Sequence, residues 1–131
     1  MESQNKDPNT FLFGIRLIDS DELIGEIYLD EIEWSNQVAG LSIGIGDRSK
    51  WGKGYGYEAS KLALGFAFRE LGLYRIQLTV FDYNERAIAL YEKVGFQREG
   101  TFREFGQRDG KRYDMYLYGL LRGEWESRED G

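Results

Sequence analysis

The stretch Trp51-Gly52-Lys53-Gly54-Tyr55-Gly56 decides how the chain is read. Upstream of it, Leu41-Ser42-Ile43-Gly44-Ile45 alternates apolar and small residues with period two, which predicts a strand. Downstream, Tyr57 to Leu71 is rich in Ala, Leu and Phe and predicts a helix that begins at about Tyr55. The glycines therefore mark a strand-to-helix turn. Such a turn lets backbone approach a ligand closely, while the unpaired first N–H groups and the helix dipole face an anion. A pyrophosphate is one guest that it suits; a plain tight turn is the other reading.

Working outward, helical spacing puts Ala59, Leu62, Ala63, Phe66 and Ala67 on one face and Glu58, Lys61, Gly65 and Arg69 on the other, with Gly72 as the stop. Tyr74 to Phe81 alternates as a strand, so strand, glycine turn, helix and strand form one βαβ unit with parallel strands. Asn84 caps a second helix, Glu85 to about Lys93, whose Ala87, Leu90, Tyr91 and Val94 form an apolar stripe closed by Gly95. Phe96 to Gln107 and Lys111 to Leu121 read as strands joined through Arg108-Asp109-Gly110, a hairpin signal. Before the glycine turn, Phe11 to Asp19, Leu23 to about Ile32 and Val38 to Gly46 predict an antiparallel meander. In its middle strand Ile24, Glu26, Tyr28 and Asp30 alternate with Gly25, Ile27 and Leu29. Residues 1–10 read as a flexible lead-in, 11–121 as one domain and 122–131 as a charged, frayed tail.

The length of 131 residues and the 41% hydrophobic content suffice for one domain with a real core. With no cysteine and no histidine, disulfides, thiolate metal sites, cysteine nucleophiles and imidazole bases are excluded, so proton transfer falls to carboxylates, tyrosine, lysine or water. No apolar run approaches the roughly 20 residues of a membrane span, and the polar start lacks a signal peptide's pattern, which predicts a cytoplasmic protein. A net charge of −6 argues against general nucleic-acid binding and suits a cationic partner. Around the glycine turn the balance reverses, with Arg48, Lys50, Lys53 and Lys61 against the single acid Glu58.

Two motifs then carry a family resemblance. Gly52-Lys53-Gly54-Tyr55-Gly56 resembles the acetyl-CoA pyrophosphate loop of the GNAT superfamily of N-acetyltransferases, with Trp51 in place of the usual Gln or Arg at its head. Asn84-x-x-Ala87-x-x-x-Tyr91-x-x-x-Gly95-Phe96, about 28 residues on, resembles the family's second cofactor stretch. Trp-Gly-Lys-Gly and Tyr91 to Gly100 are similar to the branch of ribosomal-protein N-terminal and polyamine acetyltransferases. The resemblance runs from about Phe11 to Leu121 and implies an α/β (α+β) GNAT fold, a mixed twisted sheet flanked by helices. Family members usually begin with a further strand and two helices that wall the acceptor cleft. Only about ten polar residues precede the first strand here, which predicts an open sheet edge and hence a homodimer or a shortened chain.

The resemblance implies acetyl transfer from acetyl-CoA, without metal, to a small-molecule or peptide primary amine by direct attack. It assigns the pyrophosphate to the backbone of Gly52, Lys53, Gly54, Tyr55 and Gly56 beside Trp51, with charge from Lys53 and Arg48. The strand bearing Ile43 and Ile45 would pair with the pantetheine arm and polarise the thioester. Asn84 and Ala87 would flank that arm, and Tyr91 would protonate the departing thiolate; by pattern alone Asn84 is a cap and Tyr91 a core residue. Glu104, in Arg103-Glu104-Phe105, resembles the branch's base, with Glu26, Glu33 and ordered water as rivals. Glu26, Glu33 and Trp34 are candidates for the acceptor side, on an acidic stretch that as readily forms a solvated strand face. A non-catalytic acyl-CoA-binding module is the alternative. A nucleotide-phosphate enzyme ranks far lower, because a Gly-x-x-x-x-Gly-Lys-Ser/Thr loop is absent.

Overall fold

The computed structural model describes residues 8–46 and 53–130, without the side chains of 129 and 130. Six strands form one sheet: β1 (Phe11–Arg16), β2 (Leu23–Glu33), β3 (Val38–Ile45), β4 (Arg75–Phe81), β5 (Gln97–Arg108) and β6 (Lys111–Leu121), in spatial order β1-β2-β3-β4-β6-β5. Neighbours are antiparallel except β3 and β4, which are parallel, as the βαβ reading requires. The N-terminal meander is present, with β1 at one edge of the sheet and β5 at the other. Asp109 and Gly110 close the β5–β6 hairpin with φ of 52° and 76°, the mirror-image turn that matches strand twist.

Strand β2 corrects the simple alternation. Ile15 faces Gly25 but Arg16 faces Leu23, so Ile24 is the extra residue of a bulge. Its side chain is buried along with those of Ile27 and Leu29, not exposed with Glu26. A second irregularity between Asp30 and Glu33, with Glu31 at φ 50°, returns Ile32 to the core. Each bulge shifts the strand's parity by one, which period-two reading cannot anticipate.

The long helix also differs from its expected form. Helix α1 (Tyr55–Gly65) gives way to a π turn at Phe66–Glu70, in which the Leu71 N–H reaches the Phe66 carbonyl. Gly72, at φ 68°, follows as the expected stop. The buried arc runs through Ala59, Ser60, Ala63, Leu64 and Gly65, while Leu62 stays 62% exposed. The helix is thus rotated from the expected face toward Ser60 and Leu64, because elements besides the sheet cover it. Phe66 packs edge-on against Phe11 and Phe13 of β1, and the neighbouring Phe68 meets Trp125 at 5.2 Å. The wider π turn lets both rings find partners on different sides.

Helix α2 (Glu85–Val94) follows β4 as read. The segment after Leu121 is not frayed: it forms helix α3 (Arg122–Asp130). Trp125 is 6% exposed against Phe68, and the guanidinium of Arg69 lies 5.1 Å from its ring centroid. Arg122 donates to the carbonyls of Leu73 and Gly72, and Glu124 accepts from the Leu121 N–H at 3.0 Å. One apolar residue among charges gives no helical stripe, so only the tertiary contact reveals the element. Trp125→Ala should cost about 3–5 kcal/mol in urea unfolding. A loss below about 0.5 kcal/mol is the result that a frayed tail would give.

Candidate functional site

The parallel pairing of β3 with β4 ends after Gly40 and Gln77, although β3 continues to Ile45 on its β2 side. Beyond that point the two strands part. A cleft of about 550 Å³ opens there, lined by Ile43, Gly44 and Ile45 of β3, Gly54 to Tyr57 at the start of α1, and Asn84, Arg86, Ala87, Ala89, Leu90, Tyr91 and Lys93 around α2. The geometry of each wall follows from local sequence.

Gly54 is the N-cap of α1 with φ 84°, a left-handed conformation that favours glycine, and it has no side-chain cap bond. The first backbone bond of the helix runs from the Glu58 N–H to the Gly54 carbonyl, so the N–H groups of Tyr55, Gly56 and Tyr57 have no intrahelical acceptor. A Cβ on Gly56 would come within 3.3 Å of Leu90 across the cleft. Lys53 is exposed just ahead of the cap. Arg48, Trp51 and Gly52 lie outside the described residues.

On the opposite wall, Asn84 Oδ1 accepts from the Ala87 N–H at 3.2 Å, so the residue caps α2 and faces the cleft at once. Tyr91 is buried, with its ring edge-on to Phe96 at 5.9 Å, yet it lines the cleft. Burial pushes its phenol up to about 12. The core reading and the site reading of Tyr91 are therefore both met.

A second hollow, of about 580 Å³, shares Ile43, Gly44 and Ile45 with the cleft and continues along β2 through Glu26 and Tyr28. There the Tyr28 hydroxyl donates to Glu26 Oε2 at 2.8 Å, and this bond to a carboxylate raises the phenol's pKa. The other acceptor candidates are not brought together with it. Glu33 accepts from Asn36 Nδ2 at 2.6 Å and the Trp34 indole donates to Asn9 at 3.2 Å, both at the β2–β3 turn. That is the opposite end of β3 from the cleft, roughly 20 Å away at 3.3 Å per residue. Glu104 sits in an irregularity of edge strand β5 at φ 49°, its N–H bonded to Asp114 Oδ1 and its carbonyl to Arg112, and lines neither hollow.

Sequence reading missed Tyr57, Arg86, Leu90 and Lys93 as cleft residues and Tyr28 as the partner of Glu26. Arg86, Leu90 and Lys93 sit three or four residues apart on α2, a spacing that was a usable signal. Among the described residues no cluster of three acidic side chains is placed to hold a metal ion, and no helix is long and apolar enough to cross a membrane.

A glycine-capped helix start, a splayed parallel strand pair and a buried tyrosine together frame this cleft. Residues 1–97 match the family described as the acetyltransferase (GNAT) domain, and the chain belongs to that family. It is 33% identical over 113 residues to an uncharacterized N-acetyltransferase, p20, of Bacillus licheniformis, covering 86% of this chain and 63% of that protein. Identity is 29% over 123 residues to the ribosomal protein uS5-alanine N-acetyltransferase of Escherichia coli K12, covering 92% and 62%. In structure it is similar to the dodecameric spermidine N-acetyltransferase of Vibrio cholerae, with a TM-score of 0.85, 30% identity, and 93% and 70% of the two chains covered. The chain spans less than two thirds of the length of these two sequence relatives.

Tyr118 is a second buried phenol pushed up to about 12, by burial and by its bond to Glu92 Oε2 at 2.7 Å. Both phenols hold their proton more tightly folded than unfolded. Their stabilisation is complete below pH 10, the ordinary tyrosine value, and is lost as pH rises from 10 through 12. Thermal melts should therefore fall steeply over that range. Tyr91→Phe should lessen the fall by about 3 kcal/mol, the equivalent of its two-unit shift.

Proposed function

We propose that the protein transfers an acetyl group from acetyl-CoA to a cationic primary amine, a polyamine or a protein N-terminus, by direct attack in the cytoplasm. The observation that carries this reading is Tyr91: a phenol that burial keeps protonated, lining a cleft between a helix start with no side-chain cap and a strand whose pairing with β4 stops at Gly40. When bound, acetyl-CoA supplies the activated acetyl group and the thiolate that leaves.

The residues present fit that donor. The N–H groups at the start of α1 lack intrahelical acceptors and belong to residues that line the cleft, as an anion requires, and Gly56 lets the helix start close against Leu90 and Ile45 of the facing walls. Beyond Gly40 the β4-facing edge of β3 offers backbone groups to an amide-bearing arm. Asn84 and Ala87 flank that path, with Lys53 beside its anionic end, and the reading places Arg48, Trp51 and Gly52 there by motif alone.

On the adjoining side, Glu26 offers its carboxylate to the acceptor's ammonium, oriented by the Tyr28 hydroxyl. A free amine of ordinary pKa near 10 must lose a proton before attack. Glu26 is better situated for this than Glu104, Glu33 or Trp34, none of which lines the two hollows. The open edge of β1 supports self-association as a homodimer.

The test is steady-state acetylation of spermidine and of N-terminal peptides beside calorimetric titration of acetyl-CoA. Tyr91→Phe should lower kcat about 10²-fold while acetyl-CoA affinity changes less than about threefold. Binding without turnover in the parent protein would identify a carrier module instead. In the parent, kcat should rise with pH as the amine deprotonates, with no falling limb below about pH 11, because Tyr91 stays protonated to about 12.

A further inference from the structure

Between α1, the end of α2 and α3 lies a smaller cavity of about 280 Å³. Tyr57 lines both this cavity and the cleft, so the two meet at its ring. Lys93, on the cleft wall, holds its ammonium 4.5 Å from the Tyr57 ring centroid, and Lys61, which lines the cavity, holds its own at 5.5 Å. Two ammonium groups gathered on one ring repel each other. Among the described residues the ion pairs are those of Arg75 and Arg108, and neither lysine has one.

Arg128 of α3 adds a third cation: its Nη2 donates to the Lys93 carbonyl at 2.7 Å while the side chain lines the cavity. Ser127 contributes a hydroxyl to the wall. Trp125, itself 6% exposed, contributes an indole N–H that is buried with no acceptor. Among the described residues no acid lines the cavity; Glu58 and Glu126 adjoin its wall in sequence without lining it, Glu92 accepts from the Tyr118 hydroxyl, and Glu124 accepts from Gln97 and the Leu121 N–H. Two cations, a hydroxyl and an orphaned donor around one small space, with the Lys93 ammonium on the ring at its mouth, call for an anion.

We propose that this cavity seats the 3′-phosphate of coenzyme A, with the adenosine crossing from the cleft over Tyr57. The inference rests on the acetyl-CoA reading and deepens it. Lys61 stands two turns along α1 from Gly54, about 10 Å. That is a gap which a ribose and a lysine side chain span between them. A phosphate monoester carries nearly two charges at neutral pH, matching a site with more than one cation. Helix α3 thereby takes part in donor recognition as well as in the core.

Isothermal titration of the whole chain with coenzyme A and with 3′-dephospho-coenzyme A tests it, for the parent, Lys61→Gln and Arg128→Gln. The parent should bind coenzyme A at least about tenfold more tightly than the dephospho form, and the gap should shrink as salt rises. Lys61→Gln should weaken coenzyme A binding about fivefold and leave the dephospho form unchanged. Equal affinity of the parent for the two ligands overturns the phosphate seat and leaves the acetyl-CoA reading intact. So does equal weakening of both ligands by Lys61→Gln, an exposed position whose loss should not disturb folding. Binding of neither ligand overturns both readings.

Discussion

Parallel strands β3 and β4 pair over only three residues each, from Val38 and Arg75 to Gly40 and Gln77, and the site depends on where that pairing stops. The crossover helix α1 follows β3 in the chain, and its start, with no side-chain cap, lines the gap that the parting strands leave. Helix α2 begins just past the end of β4, which sets Asn84 and Tyr91 across the same gap. Had the ladder continued to Ile45, β4 would fill that side of β3 and no cleft would exist. The opening is therefore a property of the sheet, framed by side chains but not made by them.

Charge is distributed around that opening in a way the net value of −6 conceals. On the α-helical side stand Arg86, Lys93 and, next to the cleft, Lys61 and Arg128. Across β3 the adjoining hollow carries Glu26, and farther along the same strand Asp30 is partly buried, its carboxyl raised by burial and by nearby Glu31. An anionic donor and a cationic acceptor would each meet the opposite charge on its own side of one strand. Ile43, Gly44 and Ile45 of β3 line both sides, and Tyr91 stands on the donor side of them.

Helix α3 links stability to this arrangement. Trp125 packs on Phe68 in the π turn, Arg69 covers its ring, and Arg128 fastens the end of α2 through the Lys93 carbonyl. The contacts that hold the last helix in place are the ones that shape the smaller cavity. The π turn serves both partners, turning Phe66 to β1 and Phe68 to α3.

Much of the fold was legible in the sequence because its signals are local. Period-two runs, the Asn84 cap and the Asp109-Gly110 turn each depend on a few adjacent residues, and the structure has the elements they predict. The glycine turn and the motif that starts at Asn84 also pointed to Gly54, Gly56, Asn84, Ala87 and Tyr91, and all five line one cleft. What the sequence could not settle depends on how distant segments meet. The bulges at Ile24 and before Ile32 arise from register against β1 and β3, and they change which face each later residue takes. The exposure of Leu62 and the order of α3 depend on Trp125 reaching Phe68, far away in the chain. Acidity along β2 marked Glu26 and Glu33 alike, yet the strand carries them to opposite ends of β3, so only the tertiary structure could tell the one beside the cleft from the one far from it.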